Sequence, residues 1–173
     1  MSLNLKNNTT QENILYNNLL SLSRNKLFYT KFNLADTFQN RIYLIFIHIS
    51  FLLIKVKQSE NKKKYKNFYQ KMFDLIFKKI EINMREIGHG DTTINKNMKF
   101  LVKSFYNILL DFENLSEKSQ NNKKVILFKY LQLAKIEKKA NNDHLIEYFD
   151  KYKSFCFDLN PDSVLEDILN FKY

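Results

Sequence analysis

The sequence predicts an all-α protein: a single-domain bundle over residues 1–173, with about six or seven helices around one central apolar helix. Three observations carry this. The chain contains one proline and two glycines, too few turn-makers for a many-stranded β architecture. Apolar residues recur at three- and four-residue spacing along most of its length. One run, residues 42–54, "IYLIFIHISFLLI", is apolar on every side, as the core helix of a bundle is. With 45% apolar residues, a chain of this size can bury roughly 70% of the surface its unfolded form exposes.

The elements follow in order. Thr9-Thr-Gln-Glu12 has capping-box spacing and opens a helix over about residues 10–26 through Ile14, Leu15, Leu19 and Leu22. A connector leads to Asp36-Thr-Phe-Gln39, read as a second cap with Asp36 accepting and Gln39 reaching back. The apolar run follows. Its thirteen residues span roughly 20 Å, short of a hydrocarbon core near 30 Å, and His48 sits at its middle. A bundle core explains it better than a membrane span. Residues 65–87 place Phe68, Tyr69, Met72, Phe73, Ile76, Ile80, Met84 and Ile87 on one face, with Asp74–Lys78 and Glu81–Arg85 paired on the other. A second stripe runs Ile94, Met98, Leu101, Val102, Phe105, Leu109 and Phe112. Further stripes cover Ile126–Ile136 and Leu145, Tyr148, Phe149, Tyr152 and Phe155. Asn160-Pro161 opens a short last helix through Leu169.

Charge is uneven. Residues 1–142 carry 25 basic and 11 acidic side chains, whereas 143–173 carry 3 and 7. A basic body suits an anionic partner, either a phosphate backbone or acidic lipid, with Lys62, Lys63, Lys64 and Lys66 as candidate contacts. Only three of the cations are arginine, and the richness in Lys, Asn, Ile, Phe and Tyr also fits AT-rich coding. Cys156 is alone, so no internal disulfide forms and a reducing compartment is expected. The N-terminal stretch has neither a signal core nor an arginine-rich presequence, so an intracellular location is expected.

Both glycines stand in "NMREIGHGDT", residues 83–92, between the two cleanest stripes. Gly88 suits a helix stop at positive φ and Asp91 a helix N-cap, so stop, turn and start account for the motif. A phosphate cradle would need a longer loop with Lys and a hydroxyl after a strand. The GxGD of intramembrane aspartyl proteases would need a second aspartate in a membrane bundle. His89, His48, His144 and Cys156 do not have metal-site spacing. The residues propose no catalytic group, no cofactor and no metal.

Three stretches in order resemble one family. "LYNNLLSLSRNKLFYTKFNLADTFQNRIYL" (15–44), "LIFIHISFLL" (44–53) and "LIFKKIEINMREIGHGDTTINKNMKFLVKSFY" (75–106) are similar to the ubiquinol–cytochrome c chaperone proteins, assembly factors of respiratory complex III. The resemblance is clearest over 15–106, and fainter at "DHLIEYFDKYKSF" and "DSVLEDIL". It singles out Asp36, Thr37, Arg41, His48, Arg85, Glu86, Gly88, Gly90, Asp91, Phe105 and Tyr106 as signature residues, structural or in contact with a client. Met84 stands where the family has Leu. Ala35 replaces a common proline and Asn40 a common glycine, which is expected to loosen the turn into the apolar helix.

The resemblance implies a non-enzymatic chaperone that binds newly made cytochrome b. A ribosome or a small helper protein are further partners it suggests. Like the bacterial members, the chain would act as a peripheral protein at the cytoplasmic, inner face of the inner membrane, on the matrix side if eukaryotic. Two other readings compete: a basic ribosome- or nucleic-acid-binding module, marked by a basic face interleaved with exposed aromatics, and a small haem-handling protein using His48 or His89.

Overall fold

The computed structural model describes residues 10–134, 143–160, 171 and 173. Seven α-helical segments run through them: α1 (Gln11–Ser23), α2 (Leu27–Thr30), α3 (Phe38–Lys57), α4 (Lys62–Glu86), α5 (Asp91–Glu113), α6 (Gln120–Tyr130) and α7 (Asp143–Asp158), with a 3-10 turn at Leu115–Glu117. The all-α bundle with one central apolar helix is as predicted. Among the described residues the only β-type pairing is an isolated bridge between Leu34 and Leu133. The last helix expected after Asn160 lies outside the described residues, as do Thr9 and Ile136.

α3 is the axis. α1, α4, α5 and α7 all pack on it, and from Ile42 to Ile54 every residue is buried. The helix is longer than its apolar run, because Phe38–Arg41 and Lys55–Lys57 extend it at both ends. The 20-residue helix is long and apolar enough to cross a membrane, which corrects the expectation that the segment falls short; yet 83% of its most apolar stretch is buried within the protein. The bundle covers this helix. Each fully buried Leu, Ile or Phe contributes about 1.5–3 kcal/mol. The exposed Glu81–Arg85 pair of α4 contributes far less, so packing decides the fold. The other anticipated α4 pair gives way: Asp74 Oδ1 accepts from Gln70 Nε2 at 2.8 Å.

Three helix starts lie one residue away from where composition puts them. Thr10 Oγ1, rather than Thr9, caps α1 by accepting from Asn13 N at 3.3 Å, while Glu12 pairs with Lys71 at 2.8 Å. Thr37, not Asp36, caps α3 by accepting from Asn40 N at 3.2 Å. Gly90, not Asp91, is the N-cap of α5, and Asp91 becomes the acidic residue of the first turn. In each case the residue whose backbone is extended takes the cap, whatever the acidity of its neighbour. α1 ends at Ser23, and the connector after it contains the single turn α2.

Asn40 overturns the loosened turn expected from the Ala35 and Asn40 departures. Its side chain is fully buried and donates to Ala35 O (2.7 Å) and Gln132 O (2.8 Å), while its Oδ1 accepts from Gln132 N (2.9 Å). Backbone bonds Ala35 N to Gln132 O and Ala134 N to Asn33 O run beside it. The start of α3 is thereby stitched to the segment after α6.

Candidate functional site

The α4–α5 turn is a complete helix stop. Gly88 sits at φ +90°, where a side chain is strained. Its N–H donates to Arg85 O and the His89 N–H donates to Met84 O, both at 3.0 Å, the paired bonds of a Schellman motif. Arg85 bridges the turn, holding Glu81 at 2.9 Å and Asp91 at 2.6 Å. Gly88, Gly90, Arg85 and Asp91 are thus absorbed by the turn. His89 is exposed beside them.

At the start of α3, Arg41 grips Asp36 with two parallel bonds, Nε to Oδ1 at 2.7 Å and Nη2 to Oδ2 at 2.9 Å. That guanidinium holds the Asp36 carboxyl below its ordinary range. It also lies over the Tyr29 ring, 5.8 Å from its centroid, and Tyr29 donates to Ser23 O. Asp36, Thr37 and Arg41 therefore fix the approach to α3.

These two signature ends meet at one surface feature. A cavity of about 240 Å³ opens where α1, α3 and the end of α4 come together, lined by both Arg41 and Glu86. Its walls are Tyr16 and Leu20 of α1, Ile42 and Ile45 of α3, and Ile80 of α4; Phe38 and Ile87, 38% and 60% exposed, form an apolar lip. Arg24 and Glu86, both exposed, stand at its rim without an ion pair among the described residues. The groove can take an apolar side chain or helix face and meet a polar end at either sign of charge. A larger hollow of about 980 Å³ lies between α6 and α7, where Ile146 and Phe155 are ringed by Lys124, Asp143, Glu147, Asp150 and Lys151; it contains none of the signature residues.

The remaining signature residues lie elsewhere. His48 is fully buried, Nδ1 2.6 Å from Leu44 O and Nε2 2.8 Å from the Tyr148 hydroxyl. The carbonyl only accepts, so Nδ1 carries the proton and Tyr148 donates to Nε2. Burial lowers its pKa to about 4, so the ring is neutral. With both nitrogens engaged, His48 is a satisfied core histidine, and a haem reading falls back on exposed His89. Phe105 is buried against Phe73 and Phe77, and Tyr106 is half exposed beside them. Lys62, Lys63 and Lys66 are exposed at the start of α4, with Lys64 half-buried among them. Sequence reasoning missed the groove's Arg24, Phe38, Tyr16 and Leu20. Phe38 carried a usable signal, an apolar first-turn residue outside the continuous apolar run. Among the described residues no three of His, Cys, Asp and Glu cluster as metal ligands.

A family profile described as "Ubiquinol-cytochrome C chaperone" matches residues 30–123, which contain Arg41, the α4–α5 turn and Tyr106. No curated protein sequence matches the chain. The fold is similar to the crystal structure of the Cbp3 homolog from Brucella abortus, with a TM-score of 0.74 at 21% identity, covering 90% of this chain and 84% of that one.

Proposed function

Because the chain belongs to the ubiquinol–cytochrome C chaperone family, we propose that it binds newly made cytochrome b during assembly of respiratory complex III. The groove bounded by Phe38, Arg41, Glu86 and Ile87 supports this reading and is its proposed client contact. A chaperone for a membrane protein must shield apolar segments without enclosing them. An open apolar wall with an exposed lip suits that task. The role needs no catalysis, and holding a client until its partner subunits arrive is a binding function. We further propose a peripheral position at the inner face of the membrane that receives cytochrome b.

Tagged protein cross-linked briefly and captured from detergent-solubilised membranes, then read by mass spectrometry, tests the client. Cytochrome b is expected as the dominant partner, and Ile87→Glu or Phe38→Glu should reduce its recovery while leaving the thermal midpoint nearly unchanged. Capture of ribosomal proteins and RNA alone would move the weight to the basic-surface reading. Retention of cytochrome b by both lip variants would move the contact away from this groove.

A further inference from the structure

The outward face of α5 combines charge and apolar surface in a way the fold does not use. Lys96, Lys99 and Lys103 recur at three- and four-residue spacing and therefore share one side of the helix. All three are exposed, and none has an ion pair among the described residues. Phe100, Tyr106 and Leu110 flank them, 57%, 45% and 66% exposed. From Lys96 to Leu110 the face runs about 21 Å at 1.5 Å per residue.

The carboxylates of the same helix are already taken. Asp91 is held by Arg85, Asp111 by Lys129 and the Tyr130 hydroxyl, and Glu113 by Lys57. The lysine charge thus stands uncompensated on its own helix. Phe100 between the lysines and Leu110 beyond them stand in water, and Tyr106 is half exposed with its ring packed on Phe73 and Phe105.

We propose that this α5 face docks on a bilayer surface carrying acidic phospholipid headgroups. Lysines reach headgroup phosphates on flexible stems, while Phe100, Tyr106 and Leu110 enter the boundary between headgroups and acyl chains. Nucleic acid fits less well. The cations are all lysine, without the planar fork that pairs with phosphate, and the face is a convex helix side rather than a groove where bases stack. The proposal deepens the peripheral-membrane part of the reading above and rests on it.

Vesicle co-sedimentation of the full chain tests it, using phosphatidylcholine alone and phosphatidylcholine mixed with phosphatidylglycerol. Binding is expected only with the acidic lipid, and release at about 1 M salt, where the screening length is about 3 Å. The triple variant Lys96→Gln, Lys99→Gln, Lys103→Gln should bind about a hundredfold more weakly. Phe100→Ser with Leu110→Ser should also weaken binding, and an unchanged thermal midpoint would show both variants folded. Wild-type binding by the α5 lysine variant would place the lipid site elsewhere. An equal loss in Lys62→Gln, Lys63→Gln, Lys66→Gln would reduce the effect to diffuse charge, and either result overturns the α5 face alone. Absence of vesicle binding by the unmodified protein would remove membrane contact altogether. Binding of a single-stranded RNA oligonucleotide through the same lysines, without vesicle binding, would overturn the proposal in favour of nucleic acid.

Discussion

Arg85 Nη1 donates to Asp91 Oδ1 across 2.6 Å, tying the end of α4 to the first residue of α5 over the two glycines between them. This ion pair is exposed, with the two side chains 52% and 78% accessible, so it orients the turn and contributes little to stability. The backbone of Gly88 contributes more. Nothing lies within 4 Å of where its Cβ would stand, so a side chain there meets no clash; the cost comes from φ +90° alone. Gly88→Val is expected to destabilise by about 1–2 kcal/mol, lowering the thermal midpoint by several degrees. Circular dichroism melting reads this directly. An unchanged midpoint together with failed assembly would make the turn a contact site.

Asn40 carries a second expectation. Replacing it by Ala removes three hydrogen bonds and leaves the Gln132 amide without its acceptor in a half-buried setting. A loss of about 2–3 kcal/mol should follow, measured by urea unfolding. Asn40→Gly, the residue that the family resemblance leads one to expect there, should cost a similar amount, because this chain uses the side chain as its clamp. A neutral Gly variant would show that water replaces the amide.

His48 makes stability depend on pH, and the sign is fixed by its neutrality. In the folded protein its pKa is about 4, against 6.5 for the unfolded chain, so between these values the unfolded state binds more protons. Stability is complete above pH 6.5 and falls as pH drops toward 4, by about 3 kcal/mol for this group. Denaturant midpoints measured through that window should decline in the wild type and decline less in His48→Gln. Parallel curves for the two proteins would show that other groups govern the acid response.

Helix periodicity was legible in the sequence, and α3 to α5 and α7 stand where their stripes put them. The caps were less so, because Asp36 beside Thr37, or Asp91 beside Gly90, offers two chemically suitable residues. Only the backbone path chooses between them. Partners distant in sequence left no signal at all. Asn40 meets Gln132 and His48 meets Tyr148, 92 and 100 residues apart, and nothing in either segment announces the other. The groove was hidden for the same reason, since Leu20, Ile45 and Ile87 come from three segments far apart in the chain. What the sequence did supply was its ends: Arg41 and Glu86 were both among the signature residues, though nothing placed them at one cavity.

Cys156 lies fully buried near the end of α7, one turn after Tyr152. Burial disfavours its thiolate and pushes the thiol pKa up to about 12. Attack on an alkylating or disulfide reagent requires the thiolate and access to it, and the folded protein supplies neither. In native buffer near neutral pH, Ellman's reagent should therefore titrate almost no thiol, whereas a denatured sample should yield one per chain, as the single cysteine requires. The rate of slow native labelling then reports opening of the α7 packing, and it should rise in Tyr148→Ala, which removes a ring packed on Phe28, Phe149 and Tyr152. Rapid labelling of the unmodified protein would mean that α7 opens readily. The aromatic cluster around His48 would then be far less rigid than its packing implies.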